Sequence, residues 1–203
     1  MPTQTAGPVS ALDAIYGRRS VRSFTSQKLE KTTVRALLDA AVQAPTAMHE
    51  QPWVFVVIQD AQLLTMLSDR VKAAWMLEAA FYRDVHVKPG SSLHDDFVKR
   101  LADPEFSVFY NATTLVVIGA RRTDSFVVAD CWLAAENLML AASALGLGTC
   151  CIGSAVPALN APKVKVALGI PAEVTSIAPI IVGVPAGSAA PVVRREPEVV
   201  CCN

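Results

Sequence analysis

The sequence predicts an α+β fold with a small central sheet and a large helical share, and three observations carry that expectation. Continuous apolar runs at residues 53–58 and 114–119 read as strands buried on both faces. Long helical stretches lie between and after them, at residues 61–82 and 124–145. Helices and strands intermix without the regular alternation of a doubly wound sheet. The whole chain, residues 1–203, reads as one domain.

Taken in order, Ser10 followed by Asp13 forms a capping box for a short helix whose apolar face is Leu12, Ile15 and Tyr16, with Gly17 as its stop. Val34, Leu37, Leu38, Ala41 and Val42 recur at helical spacing, an amphipathic stripe that Pro45 ends. The first strand and the helix at 61–82 follow. Between residues 83 and 105, charges, Pro89, Gly90 and Pro104 break any period, which predicts an irregular, variable lid region. After the second strand, the helix at 124–145 is apolar on nearly all sides and stops at Gly146. Such a helix belongs at the centre of a domain or in a dimer interface. A third strand at 148–152, a helix at 157–168 closed by Gly169 and Pro171, and a fourth strand at 176–182 complete the core. Pro179 points to an edge position or a bulge in that last strand. The tail, residues 186–203, cannot build a core of its own and is either disordered or an arm laid on another surface.

Composition narrows the function. The chain is 52% hydrophobic and 18% charged with no net charge, which argues against a nucleic-acid protein. The high aliphatic content suggests apolar surface covered by a partner subunit. Residues 1–8 lack a basic n-region and an apolar core, so no secretory signal is expected, and a cytoplasmic location follows. The uncharged run 137–162 is broken by Gly146, Gly148, Gly153 and Pro157, so it reads as a buried helix entering a strand instead of a membrane span. Five cysteines without C-x-x-C spacing and three unpaired histidines predict no metal site and reduced thiols.

The densest chemistry lies in Arg18-Arg19-Ser20-Val21-Arg22. In an extended chain, Arg18, Ser20 and Arg22 share one side, a row of about 13 Å that matches a phosphorylated cofactor. Taken alone, a solvated basic turn describes it better. Leu145-Gly146-Leu147-Gly148-Thr149 imitates a dinucleotide fingerprint, but its glycines follow a helix and Cys151 occupies the third glycine position. No nucleophile elbow and no clustered carboxylates appear, and Cys150-Cys151 reads as small core residues before it reads as a reactive thiol pair. Few acid–base candidates beside a strong anion site suit a protein whose cofactor performs the reaction.

Four segments together resemble the FMN-dependent nitroreductase family. They are Arg18-Arg19-Ser20-Val21-Arg22-Ser23-Phe24; Ala44-Pro45-Thr46-Ala47 with Gln51-Pro52-Trp53; Asn137-Leu138-Met139-Leu140-Ala141-Ala142 leading through the glycine stop to Ile152-Gly153; and Leu168-Gly169-Ile170-Pro171 with Ile181-Val182-Gly183-Val184-Pro185. The resemblance implies a mostly antiparallel sheet flanked by helices in an intertwined homodimer, with FMN at the subunit interface. Arg18 and Ser20 would hold the phosphate and ribityl end, with Arg19 adding contacts. Arg22 would lie near flavin N1 and O2, where positive charge stabilises the reduced ring. Pro45, Thr46 and Ala47 would approach from the other subunit, with His49 as a hydrogen-bonding replacement in a turn that usually carries asparagine, or as a surface residue. Cys151, Ile152 and Gly153 would line one face, the Gly153 N–H near N5, and Arg194 or Arg195 would return to the phosphate. Ser154 stands where the family often has a second glycine.

The activity so implied is reduction of nitroaromatics, quinones or similar small acceptors by NADH or NADPH, through ping-pong hydride transfer at N5. The alternatives are a specialised branch (dehydrogenase, dehalogenase or flavin-modifying enzyme) and a non-catalytic flavin-binding module.

Overall fold

A computed structural model of the chain describes residues 9–78 and 99–200. Helix α1 (Ala11–Gly17) opens on the expected capping box: the Ser10 hydroxyl accepts from the Asp13 N–H, and the Asp13 carboxylate takes the Ser10 N–H in return. Helix α2 (Lys31–Ala41) and a 3₁₀ turn (Ala47–His49) lead to strand β1 (Trp53–Ile58). Helix α3 (Ala61–Glu78), strand β2 (Thr114–Ala120) and helix α4 (Ser125–Ala144) follow. Strand β3 (Gly148–Cys151), a 3₁₀ turn (Gly153–Ala155), helices α5 (Val156–Leu159) and α6 (Pro162–Leu168), and strand β4 (Thr175–Gly183) close the core.

The four strands pair antiparallel in the order β1-β2-β4-β3, so the predicted α+β class holds. Strand alternation sends Val116, Ile118, Ala120, Ala178, Ile180 and Val182 to one face, where α2 and α4 cover them. Leu115, Val117 and Ile181 point the other way, onto α3 and the segments that follow β3. Helices on both faces explain why every residue of β2 is buried. At about 25 cal/mol per Å² of apolar surface, this two-sided burial is the main term holding the sheet.

Three details differ from the sequence expectation. β1 is an edge strand that pairs only with β2, so most of its residues are half-buried and Val57 is exposed. β4, expected at an edge because of Pro179, is interior. The proline is tolerated because its missing N–H lies on the β3 side, where β3 has ended; there the Pro179 carbonyl accepts from the Ile152 N–H at 2.9 Å. The bulge alternative is met nearby, where the register with β2 shifts between Ile118 and Gly119. The single helix expected at 157–168 is two, broken before Pro162, whose ring lacks the N–H that a continuous helix needs. Asn160 sits at the break and binds Ser176 through both side-chain atoms, at 2.8 and 2.9 Å. Residues 79–82 of the expected third helix and 83–98 of the expected lid lie outside the described residues.

The segment carrying the arginines runs extended along the β3 end of the sheet. Val21 N–H donates to the Thr149 carbonyl at 2.9 Å, Thr25 N–H to Val184 at 2.9 Å, and Ala186 N–H to Ser23 at 3.0 Å. Two glycines make this approach possible. Gly148 and Gly183 face each other in the sheet register. A Cβ on Gly148 would come within 2.8 Å of the Val21 side chain, and one on Gly183 within 2.9 Å of the Phe24 ring. Gly148→Ala therefore destabilises by about 1–3 kcal/mol, against the slight gain that loss of a glycine ordinarily brings. Val21→Gly in the same chain, which removes the Val21 Cβ that the added methyl would meet, recovers part of the loss. Urea midpoints of the two single variants and the double variant test this, and simple additivity would disprove the contact.

Candidate functional site

The extended segment runs beside β3, with Ser20 bridging to Thr149, and so carries Arg18, Ser20 and Arg22 past the buried Cys150 thiol. Burial pushes the Cys150 thiol up, opposed by the Arg22 charge, a hydrogen bond with Ser20, and the Arg18 charge. The three arginines have different partners. Arg18 reaches Glu136 of α4 at 3.5 Å, and its side chain is 21% exposed. Arg19 folds back, its Nη1 donating to the Tyr16 carbonyl at 2.6 Å and to the Arg18 carbonyl at 2.8 Å, which caps the open carbonyl end of α1. Arg22 lies over the Tyr110 ring, its Cζ 5.9 Å from the centroid.

Arg22 also lines a cavity of about 240 Å³ with Phe106, Val108, Tyr110 and residues 150–154. Cys151, Ile152 and Gly153 thus line the same cavity as Arg22. The floor is fixed from below: the Trp75 indole N–H donates to the Ser154 carbonyl at 2.9 Å, tying α3 to the turn after β3. The Gly153 backbone N–H faces the Cys151 sulfur. That thiol is pushed from 9.0 up to about 11, first by burial and then by its neighbour Cys150.

Pro45, Thr46, Ala47 and His49 form a separate turn that does not line this cavity. The turn is bent against its preference, with Met48, His49 and Gln51 at φ 53°, 57° and 48°. It is held from within by Thr46, whose carbonyl accepts from His49 N–H and whose hydroxyl accepts from Gln51 N–H, each at 3.3 Å. From α4, Asp130 grips it: both carboxylate oxygens lie 3.2 Å from the Ala47 nitrogen. Arg122 closes the far side by pairing with Glu50 at 2.7 Å. His49 itself is exposed. Arg194 and Arg195 lie in an exposed arm and make no ion pair among the described residues.

Asp130, Glu136, Tyr110 and Phe106 complete the picture, and the sequence reading passed over all four. A signal for the first two existed: they are the two charged residues in the twenty of α4. A charge in so apolar a helix needs a partner, and each has one. No comparable signal marks Tyr110, whose place depends on a loop conformation with Tyr110 at φ 52° and Asn111 at φ 58°. Among the described residues no group of three or more metal-ligating side chains occurs.

Asp130→Ala orphans the Ala47 N–H and releases the strained turn, costing about 1–3 kcal/mol in chemical unfolding; an unchanged midpoint would show that the turn holds itself. Cys131 on α4 is pushed from 9.0 up to about 11 by burial and by Asp130. The native state thus holds the Cys131 and Cys151 protons more tightly than the unfolded chain does. That stabilisation is complete below the unfolded thiol value and is lost as pH rises through the folded value, between 9.0 and about 11. Over that window the unfolding free energy of the wild type falls more steeply than that of Cys131→Ala; parallel slopes would contradict it.

The Nitroreductase family profile matches residues 15–184. A provisionally named NADH dehydrogenase/NAD(P)H nitroreductase of Archaeoglobus fulgidus is 28% identical over 174 residues, which cover 86% of this chain and 84% of the relative. A 4-nitrobenzoate reductase of a Nocardioides strain is 26% identical over 215 aligned residues, covering 90% and 86%. Among solved structures, a nitroreductase of Bacteroides fragilis with bound FMN superposes at a TM-score of 0.72 with 26% identity, over 94% of each chain. With a family profile spanning most of its length and a fold shared over nearly all of it, this chain belongs to the nitroreductase family.

Proposed function

We propose that the protein is an FMN-dependent oxidoreductase that takes hydride from NADH or NADPH and passes it to a small acceptor such as a nitroaromatic or a quinone, the two substrates using one cavity in turn. The observation that carries this reading is Arg22 in the wall of the cavity lined by Cys151, Ile152 and Gly153, with Arg18 and Ser20 just before it on the segment seated against β3. The donor set fits a phosphorylated ring cofactor, with guanidiniums and a hydroxyl for an anionic tail. Open space for a flat ring lies over Gly153, where an added Cβ would meet nothing within 4 Å.

Bound there, FMN would supply the hydride relay between nicotinamide and acceptor. Arg18 and Ser20 grip the phosphate and ribityl end, with Arg19 stiffening the start of the row through its carbonyl contacts. Glu136 holds the Arg18 guanidinium in place at 3.5 Å. Arg22 presents its charge to the pyrimidine edge, where it favours the more negative, reduced state. The Gly153 N–H, which faces the Cys151 sulfur, would be shared with the hydride-exchanging edge, and Ile152 and Cys151 would exclude water from the face they cover.

The Pro45–His49 turn, with Thr46 and Ala47, completes the site across a homodimer interface. Supporting this, α1 leaves Leu12, Ile15 and Tyr16 exposed, and α4 leaves Phe126, Trp132 and Leu133 exposed. The exposed arm after β4 brings Arg194 or Arg195 to the phosphate. Free thiols at Cys131, Cys150 and Cys151 agree with a cytoplasmic location.

Purified protein reconstituted with FMN shows a flavin spectrum that bleaches on addition of NADH or NADPH and recovers with a nitroaromatic or quinone. Protein that takes up no flavin overturns the reading; flavin that binds but resists both nicotinamides supports a binding module instead. Within the row, Arg18→Ala weakens FMN affinity about tenfold or more, as loss of a charged phosphate contact of about 1.5–3 kcal/mol requires. Arg22→Ala lowers the flavin potential and slows reduction more than it weakens binding. Equal losses of affinity with an unchanged potential would show that the two arginines do not divide the work this way.

A further inference from the structure

The arginine with the most chemistry assigned to it has the least ordinary partner. Arg18 is matched to a carboxylate, and Arg19 to two backbone carbonyls. Arg22 has no carboxylate within ion-pair distance among the described residues; its guanidinium lies over the Tyr110 ring, 5.9 Å from Cζ to centroid. A carboxylate would hold the guanidinium and cancel its field. An aromatic face holds it through the ring quadrupole and leaves its full charge to act on whatever else lies near. We propose that Tyr110 is a positioning residue that fixes the Arg22 guanidinium at the cavity wall with its charge uncancelled, and so sets how strongly that charge acts on the cofactor. The proposal rests on the FMN reading above.

The ring is built to stay where it is. Phe106 meets it edge-on, with centroids 5.6 Å apart and planes at 80°, an arrangement that fixes the ring plane. Tyr110 and Asn111 both adopt left-handed backbone conformations, at φ 52° and 58°. Such strain in consecutive residues persists only where the surroundings impose it. They do so here: Tyr110 N–H donates to the Ser107 carbonyl at 2.9 Å, and Ala112 N–H to Phe109 at 3.0 Å. Phe109, 1% exposed, roots the loop in the core, and Val108 N–H donates to the buried Ser68 hydroxyl at 3.1 Å. The strained loop turns Tyr110 toward Arg22 and the cavity they share with Gly153.

The test uses Tyr110→Phe, which keeps the ring, and Tyr110→Asn, which removes it while suiting a left-handed backbone. In FMN-free protein, nitrogen-15 NMR of the arginine side chains should show the Arg22 Nε–H proton displaced by the ring current. The displacement persists in Tyr110→Phe and is lost in Tyr110→Asn. In the FMN-loaded protein, Tyr110→Asn lowers the flavin midpoint potential toward that of Arg22→Ala, Tyr110→Phe leaves it near wild type, and Tyr110→Asn adds nothing in the Arg22→Ala background. An undisplaced Arg22 proton in the wild type overturns the proposal without any variant, so failure of Tyr110→Asn to fold does not shelter it. A potential that shifts as much in the Arg22→Ala background as in the wild type also overturns it, since Tyr110 would then act by another route. Failure to bind FMN at all would refute the cofactor reading, and the FMN-free spectrum would still decide whether Tyr110 holds Arg22.

Discussion

The close seating of an extended strand-like segment on a pair of facing glycines underlies the rest of the site. Gly148 and Gly183 sit opposite one another across β3 and β4, and the space where their side chains would stand is filled by Val21 and Phe24. Those two apolar contacts and three backbone hydrogen bonds fix the register of residues 20–25 against the sheet. Register matters because a shift of one residue in an extended chain exchanges the sides on which its residues lie. With Val21 on Gly148, Ser20 and Arg22 fall beside Cys150 and the turn that follows it. The positions of the charges are thus a consequence of apolar packing one residue away.

Helix α4 performs the second organising task. Its buried stripe of Val127, Cys131, Ala134, Ala135, Leu138 and Ala142 packs on the sheet and α2, and the two carboxylates it carries have different partners. Asp130 holds the strained turn at Ala47, and Glu136 holds Arg18. Asp130 and Glu136 stand six positions apart, a rise of about 9 Å, so one rigid rod sets the spacing of the turn and the arginine row, which are distant in sequence. α4 is also long and apolar enough to cross a membrane by length and composition. Its contacts with the sheet, α1 and α2 account for one side of that apolarity, and the exposed Phe126, Trp132 and Leu133 offer the other side to a second subunit.

Local pattern determined much of this molecule. The capping box at Ser10, the stripe of α2, the four strands, the glycine closing α6 and the arginine row were all legible, because each depends on periodicity or on one residue's backbone preference. Pairing order was not legible. β1 has the same continuous apolar run as β2, yet one is an edge strand and the other central; what separates them is which neighbours arrive from elsewhere in the chain. Pro179 misdirects for a related reason, since its cost depends on whether a partner strand extends far enough to need its N–H.

The candidate site divides in the same way. Residue types marked the dense charge of Arg18, Arg19 and Arg22 as a candidate anion site, while the turn at Pro45–Thr46–Ala47 and Ile152-Gly153 were singled out only by the family resemblance. The partners that distinguish the arginines are long-range: Glu136 for Arg18 and Tyr110 for Arg22. A guanidinium is charged at any ordinary pH, so the sequence by itself determined that three positive charges stand close together. Only the tertiary structure decided which of them is neutralised and which is left to act, because that depends on what the fold places within a few ångströms of each.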